Sequence, residues 1–305
     1  MSKNRIPLSE DHIKSINKAL HFIEQHLESD LSLEEISKVA HYSPYHFHRV
    51  FKQFTNETLN NYIARKRVEK ASADLLHREN ITISELSTRY GFTSNSSFTR
   101  AFKKFYGMSP SHFRNTSKGK YSKISQVKSK NGQPITNFES YVWPMNQNND
   151  TSMTSPEVKT IDAIHTVGIT CIGKQQLAPS INRLLEWAGQ KGLLRNPDFK
   201  IATIFYDSFK ITAPDKVRMS ACLLVNEPLK TDGEVISTTI NAGEYITAHY
   251  EIGIHEFPVT WMNLFKWMND NGYKKREQPP FEIYHNDFNT HPEKKCIVDL
   301  YIPVE

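Results

Sequence analysis

The sequence predicts two domains, an N-terminal all-α part built as a double helix-turn-helix and a C-terminal α+β part built as a duplicated β-α-β-β unit. Three observations predict this. Phe47–Phe54 and Phe98–Phe105 both read F-x-R-x-F-K-x-F. Leu184-Leu185-Glu186-Trp187 followed by Gly192-Leu193 recurs, 80 residues on, as Leu264-Phe265-Lys266-Trp267 followed by Gly272-Tyr273. Charge divides the same way: residues 1–123 hold 20 Lys and Arg against 12 Asp and Glu, a net of +8, and residues 124–305 hold 18 against 21, a net of −3. A basic part joined to a slightly acidic one points to a polyanionic partner for the first part alone.

Each F-x-R-x-F-K-x-F segment is preceded by a helix start. Ser32-Leu33-Glu34-Glu35 and Thr82-Ile83-Ser84-Glu85 both have the spacing of a capping box, in which a hydroxyl caps the third residue and a carboxylate reaches back. Apolar residues at helical spacing follow: Leu33, Ile36, Val39 and Ala40, then Ile83, Leu86 and Tyr90. Short turns come next, His41–Pro44 and Gly91–Ser94, with Pro44 suited to a first helical position. Helix, turn, helix, twice, is the grammar of a DNA-reading unit. The segment from Thr58 to His77 reads as a connecting helix with a broken apolar stripe of Leu59, Ile63, Val68, Leu75 and Leu76. At ~1.5 Å per residue it is a rod of roughly 30 Å. That approaches the ~34 Å turn separating successive major-groove openings on one DNA face.

Within the repeated helices the phenylalanines form a core stripe. The residues between them are the candidate DNA contacts: Tyr45, His46, His48, Arg49 and Lys52 in the first, and Asn95, Ser96, Ser97, Thr99, Arg100, Lys103 and Lys104 in the second. Arginine reads guanine bidentately and asparagine can read adenine. Lysines further along suit phosphates.

The boundaries predicted are 8–115 for the DNA-binding part, 116–155 for a linker and 156–305 for the second domain. Residues 116–131 are rich in Lys, Ser and Gly, residues 138–143 read as a short strand, and residues 146–152 as a second loose stretch. In the second domain Thr166–Ile169 echoes Glu251–Ile254. Ile201–Tyr206 and Phe281–Asn286 read as strands, each ahead of an aspartate, and Arg218–Val225 and Cys296–Ile302 as the last strands. A duplicated unit of this kind leaves a groove between its halves.

The first part resembles the AraC/XylS family of regulators over Ile13 to Arg114. The resemblance rests on Ala40 to Lys52, on Ala71 with Leu75-Leu76, on Tyr90-Gly91-Phe92, on the second F-x-R-x-F-K, and on Gly107-Met108-Ser109-Pro110 with Phe113-Arg114. It implies a seven-helix module on one DNA face, activation of transcription, and contact with RNA polymerase. One departure is Asn56-Glu57-Thr58-Leu59, where the family has Gly-x-x-Pro; asparagine tolerates the left-handed conformation. The second part resembles GyrI-like effector-binding domains through Ala242–Tyr245, Tyr250 with Gly253, Leu264–Trp267, Pro280–Tyr284 and Tyr301–Val304. This resemblance implies that Glu282 faces a ligand groove among aromatics. Tyr250, Trp261, Trp267 and Tyr284 are the candidates. A carboxylate among aromatic faces suits a lipophilic cation.

The expectation is therefore a small-molecule-controlled, DNA-binding regulator acting on double-stranded DNA in the cytoplasm, as monomer or dimer. No cofactor, catalytic residue, metal site or membrane segment is expected. Two alternatives for the second domain stay open, a small-molecule hydrolase using Glu282 as base and a protein-interaction module. Cys171, Cys222 and Cys296 lack metal spacing, and His46-x-His48 points to two helix faces. His285 and His291 show no third ligand in the sequence.

Overall fold

A computed structural model describes residues 10–77, 80–117, 154–195, 199–208 and 211–305. The expected strand at 138–143 and most of the linker lie outside the described residues. The chain divides into two compact units, Met1–Val142 and Trp143–Glu305.

The first unit holds α1 (Glu10–Gln25), α2 (Leu33–Val39), α3 (Pro44–Thr55), α4 (Leu59–His77), α5 (Ile83–Arg89), α6 (Asn95–Tyr106) and α7 (Pro110–Ser117). Two separate cores form. Ile16, Leu20 and Ile23 of α1 pack with Ile36, Phe47 and Phe51, and with Leu59, Tyr62 and Ile63 at the start of α4. Val68, Ala71 and Leu75, from the rest of α4, pack with Leu86, Tyr90, Phe98, Phe102, Met108 and Phe113. The stripe of α4 is broken in sequence because its two halves serve different cores.

Hydroxyl caps start the helices as expected, with one difference. Thr82 and Glu85 complete a reciprocal capping box. Ser32 accepts the Glu35 N–H, but the carboxylate half of that box is not made. Left-handed residues close corresponding turns: His41 matches Gly91, and Asn56 (φ 57°) matches Gly107 (φ 70°). Asn56 thus does what the family glycine does. Leu59 stands where the proline would, and Thr58 caps α4 by accepting the Asn61 N–H, as Ser109 caps α7 by accepting the His112 N–H.

α4 is held by buried charge. Arg65, 5 % exposed, bonds Glu57 (2.6 Å) and Glu69 (2.9 Å) and lies over the Tyr62 ring. Arg67 reaches sideways. Its guanidinium donates to Leu27 O and Ser29 O from the α1–α2 connection, and to Gly91 O in the second turn. Arg67→Ala is expected to cost about 2 kcal/mol, since bonds to a charged donor contribute ~1.5–3 kcal/mol each and these are half exposed. Denaturant melts of segment 1–123 check this, and an unchanged midpoint rules out the strut.

The second unit is one eight-stranded antiparallel sheet in the order β1-β6-β8-β7-β3-β4-β2-β5. The strands are β1 (Glu157–Ile161), β2 (Ile164–Ile172), β3 (Ile201–Phe205), β4 (Arg218–Val225), β5 (Ile236–Ile240), β6 (Gly243–Gly253), β7 (Phe281–Tyr284) and β8 (Lys295–Pro303). The helices are α8 (Leu177–Gln190) and α9 (Phe257–Asp270). The expected β-α-β-β copies are β2-α8-β3-β4 and β6-α9-β7-β8, joined through β3 and β7. The edge strands are exchanged: β1 precedes the first copy but pairs with β6, and β5 precedes the second but pairs with β2. The echo of Thr166–Ile169 in Glu251–Ile254 is out of step, because the first segment lies mid-strand in β2 and the second runs off the end of β6.

Alternation along the strands sorts the side chains. Val167, Ile169 and Leu223 meet Leu184 and Ala188 of α8. Ile246, Ala248, Tyr250, Ile252, Val298 and Leu300 meet Trp261, Leu264 and Met268 of α9. By register both sets lie on one face, so both helices cover the same side. The three cysteines are free and buried. Among the described residues no helix is long and apolar enough to cross a membrane.

Candidate nucleic-acid interface and ligand groove

α3 and α6 present matching exposed stripes. Tyr45, His48, Arg49 and Lys52 occupy positions i, i+3, i+4 and i+7, all exposed, and Tyr45 is 82 % exposed. Ser96, Thr99, Arg100 and Lys103 occupy the same positions in α6, with Thr99 half-buried and the others exposed. Asn95 is exposed at the first position of α6, next to the Ser94 cap. The opposite side of each helix is fixed by phenylalanine: Phe47 and Phe51, and Phe98 and Phe102, are fully buried. That anchoring sets which side chains face outward.

Three candidates are otherwise engaged. His46 is half-buried, stacked on His12 with ring centroids 5.5 Å apart and packed on Tyr42. Ser97 is spent on a capping box with Ser94, whose backbone its hydroxyl also bonds. The sequence reading takes Ser97 as a DNA contact from its place near the start of α6; a serine-serine box lacks the carboxylate that usually marks one. Lys104 donates to Asn61 Oδ1 on α4 at 2.9 Å.

In the second unit, β3 and β7 pair so that Thr203 stands opposite Glu282. Glu282 is 2 % exposed on the helix-covered face. Its Oε2 accepts the Trp261 indole N–H at 3.3 Å, and its Oε1 accepts the Tyr284 hydroxyl. Tyr284 also meets Thr203 Oγ1 at 3.4 Å. Phe205 stands edge-on to Trp261, and Phe257 lies beside Tyr284. Among the described residues no cation pairs with Glu282. Burial raises its pKa to about 7, against the lowering pull of the Tyr284 and Trp261 hydrogen bonds. Burial and the adjacent Glu282 carboxylate also push Tyr284 well above an ordinary phenol.

The structure therefore brings together three of the five expected ligand residues, Glu282, Trp261 and Tyr284, as a closed cluster rather than an open groove. Tyr250 is 4 % exposed and belongs to the core, separated from Tyr284 by the intervening β8 residue Val298. Trp267 stacks on Tyr273, six residues along α9 from Trp261 and so turned away from it. Thr203, Phe205 and Phe257 were missed. Only the β3–β7 register reveals Thr203, and no local motif marks it.

Residues 154–305 match a family described as a GyrI-like small molecule binding domain, and residues 23–116 match a helix-turn-helix domain. The chain is 38% identical over 102 residues to the multiple antibiotic resistance protein MarA of Escherichia coli K12, covering 33% of this chain and 80% of MarA. It is 37% identical over 101 residues to the uncharacterized HTH-type transcriptional regulator YbfP of Bacillus subtilis, covering 33% of this chain and about a third (34%) of YbfP. Among solved structures it is similar to the EcmrR C-terminal domain, with TM-score 0.42 and 21% identity over 50% of this chain and 98% of that one. The chain belongs to the AraC-type helix-turn-helix transcription regulators and carries a GyrI-like small-molecule binding domain behind the DNA-binding one.

Proposed function

We propose that this regulator reads an asymmetric DNA site with α3 and α6 in successive major grooves, and that a cationic, aromatic small molecule bound at Glu282 controls it. The observation that carries the DNA reading is the pair of equivalent stripes, Tyr45-His48-Arg49-Lys52 and Ser96-Thr99-Arg100-Lys103. Each sets an arginine mid-helix, one turn on from Tyr45 or Ser96 near the helix start, where base edges are reached. Asn95 extends the second stripe, and Lys104 lies beside it. His46 and Ser97 support the stripes from within. α4, with 19 residues, is about 28 Å long, close to the spacing two such heads need. The DNA-binding part is assigned to 8–115 and the effector part to 156–305, with activation through contact with RNA polymerase.

The test is a binding-site selection with the full chain and with segment 1–123, at fixed salt because phosphate contacts make affinity salt-dependent. A shared motif of two blocks one helical turn apart is expected. No enrichment from either protein overturns the reading. Arg49→Ala and Arg100→Ala should each relax base preference in one block and cost about 1–3 kcal/mol. Loss spread evenly over all sequences would assign them to phosphate instead.

The ligand reading is supported by Glu282, a buried carboxyl with no paired cation among the described residues, bonded by Trp261 and Tyr284, which Phe205 and Phe257 flank. A ligand shifts the regulator only if it binds its two states unequally. A cation entering beside Glu282 displaces Tyr284 or Trp261 from the carboxylate, which supplies such a difference. A second reading uses the same observation: a carboxyl raised to about 7 is also suited to general-base hydrolysis. Incubation with candidate compounds separates the two, since turnover identifies an enzyme and saturable binding without turnover identifies a sensor.

A further inference from the structure

The sheet face away from the helices carries His249 on β6, Asp299 on β8 and His285 just past the end of β7. His249 and Asp299 are direct register partners, and Asp299 faces Ile283, two residues before His285, on its other side. Alternation puts all three side chains on one surface. The carboxylate stands between two imidazoles, with Oδ1 2.5 Å from His249 Nδ1 and Oδ2 2.8 Å from His285 Nε2. One donor atom from each residue lies within 4.8 Å of the others, and among the described residues no other group of three does so. The side chains of His249, His285 and Asp299 are 32%, 24% and 21% exposed, so a hydrated ion can reach them.

We propose that His249, His285 and Asp299 form a binding site for one divalent transition-metal ion of the zinc type, with water completing its shell. Two imidazoles and one carboxylate are borderline donors that suit zinc, nickel or copper rather than magnesium or calcium. A tetrahedral zinc shell with bonds of about 2.1 Å holds its donors roughly 3.4 Å apart. The two N–O separations lie below that value and the upper limit of 4.8 Å lies above it. Side-chain rotation can therefore open and close the set while three hydrogen-bonded strands hold the backbone. The nearby Lys159 ammonium is paired with Glu157 at 2.7 Å. β7 carries Glu282 and Tyr284 on its opposite face, so an ion here braces the strand beneath the ligand cluster.

The sequence hid this site. His249 is 50 residues from Asp299, and His285 is 14 residues from it. His291, which the sequence sets near His285, turns instead to Glu251 at 3.6 Å.

The test uses the untagged full chain, stripped with a chelator and titrated with zinc chloride against a chromophoric competitor. One zinc per chain is expected. His249→Gln, His285→Gln and Asp299→Asn should each lower the affinity at least tenfold, while His291→Gln leaves it unchanged. Cobalt substitution should give visible absorption bands that the same variants abolish. Zinc should also raise the melting temperature of the wild type and not that of His285→Gln, whose ring sits just past the end of β7. Absence of zinc uptake at micromolar concentration overturns the proposal, and so does uptake unchanged in a His249→Gln/His285→Gln double variant; the cluster is then a hydrogen-bonded one only.

Discussion

Arg65→Ala is expected to destabilise the N-terminal unit by about 3–5 kcal/mol, the cost of removing one partner from a buried ion pair. Burial opposes the Arg65 charge, but Glu69 and Glu57 outweigh it and keep the guanidinium firmly protonated. Without it both carboxylates remain, about 10% exposed, with Glu57 unpaired at the α3–α4 junction. Glu69 keeps a long contact to Lys66 at 4.0 Å. The melting temperature of segment 1–123 should fall by more than about 10 °C. DNA affinity should fall with it, because α4 sets the separation of α3 and α6. Arg65→Met, paired with Glu57→Gln and Glu69→Gln, should restore most of the stability, since replacing a whole buried ionic set is often neutral. A single Arg65→Ala change that leaves the melt unmoved shows that solvent reaches the site and that the α3–α4 junction is held by packing alone.

Glu282→Gln is expected to stabilise the C-terminal unit at pH 8 and to abolish its response to cations. Folding raises the Glu282 carboxyl from an ordinary 4.5 to about 7, chiefly through burial. Below pH 4.5 the group is protonated in both folded and unfolded chains, and its full share of stability is present. Between 4.5 and 7 the unfolded chain gives up its proton while the folded one keeps it. Stability then falls by up to about 1.4 kcal/mol per pH unit. Above 7 the loss levels off, at a total on the order of 3 kcal/mol. The wild type should therefore be more stable at pH 5 than at pH 8 by that order, and the glutamine variant should lose most of this slope. Thermal melts of the full chain at the two pH values measure it. The same slope in both proteins means that another group is responsible.

Ligand binding should mirror this. Tetraphenylphosphonium, whose charge does not titrate, should bind the wild type about tenfold more tightly at pH 8 than at pH 6, as the carboxyl ionises. It should bind the glutamine variant weakly at both. Calorimetry in two buffers of different ionisation heat detects the proton released below pH 7. Equal affinity for the variant and the wild type removes Glu282 from the site.

Much of this protein was legible in its residues. The phenylalanines at i, i+4 and i+7 set the buried side of α3 and α6, and so the exposed side with Arg49 and Arg100. The Leu184–Trp187 and Leu264–Trp267 repeat gave both helices of the second unit, because helical periodicity is a local property. The sequence marks Glu282, Trp261 and Tyr284, and the fold brings their side chains together. Other features depended on which distant segments pair. Thr203 joins Glu282 only through the β3–β7 register, and β1 and β5 were unseen because their partners belong to the opposite copy. That Tyr250 is buried beneath α9 and that Trp267 packs, partly buried, apart from Glu282 follows only from the layer of α9 on the sheet. Arg65, Arg67 and the His249–Asp299–His285 set carry no local motif. Sequence fixes what each short segment can bury, since that follows from side-chain spacing along one helix or strand. Which charges and rings meet across segments is decided by packing, because a buried polar group takes whatever partner the completed core leaves within hydrogen-bond reach.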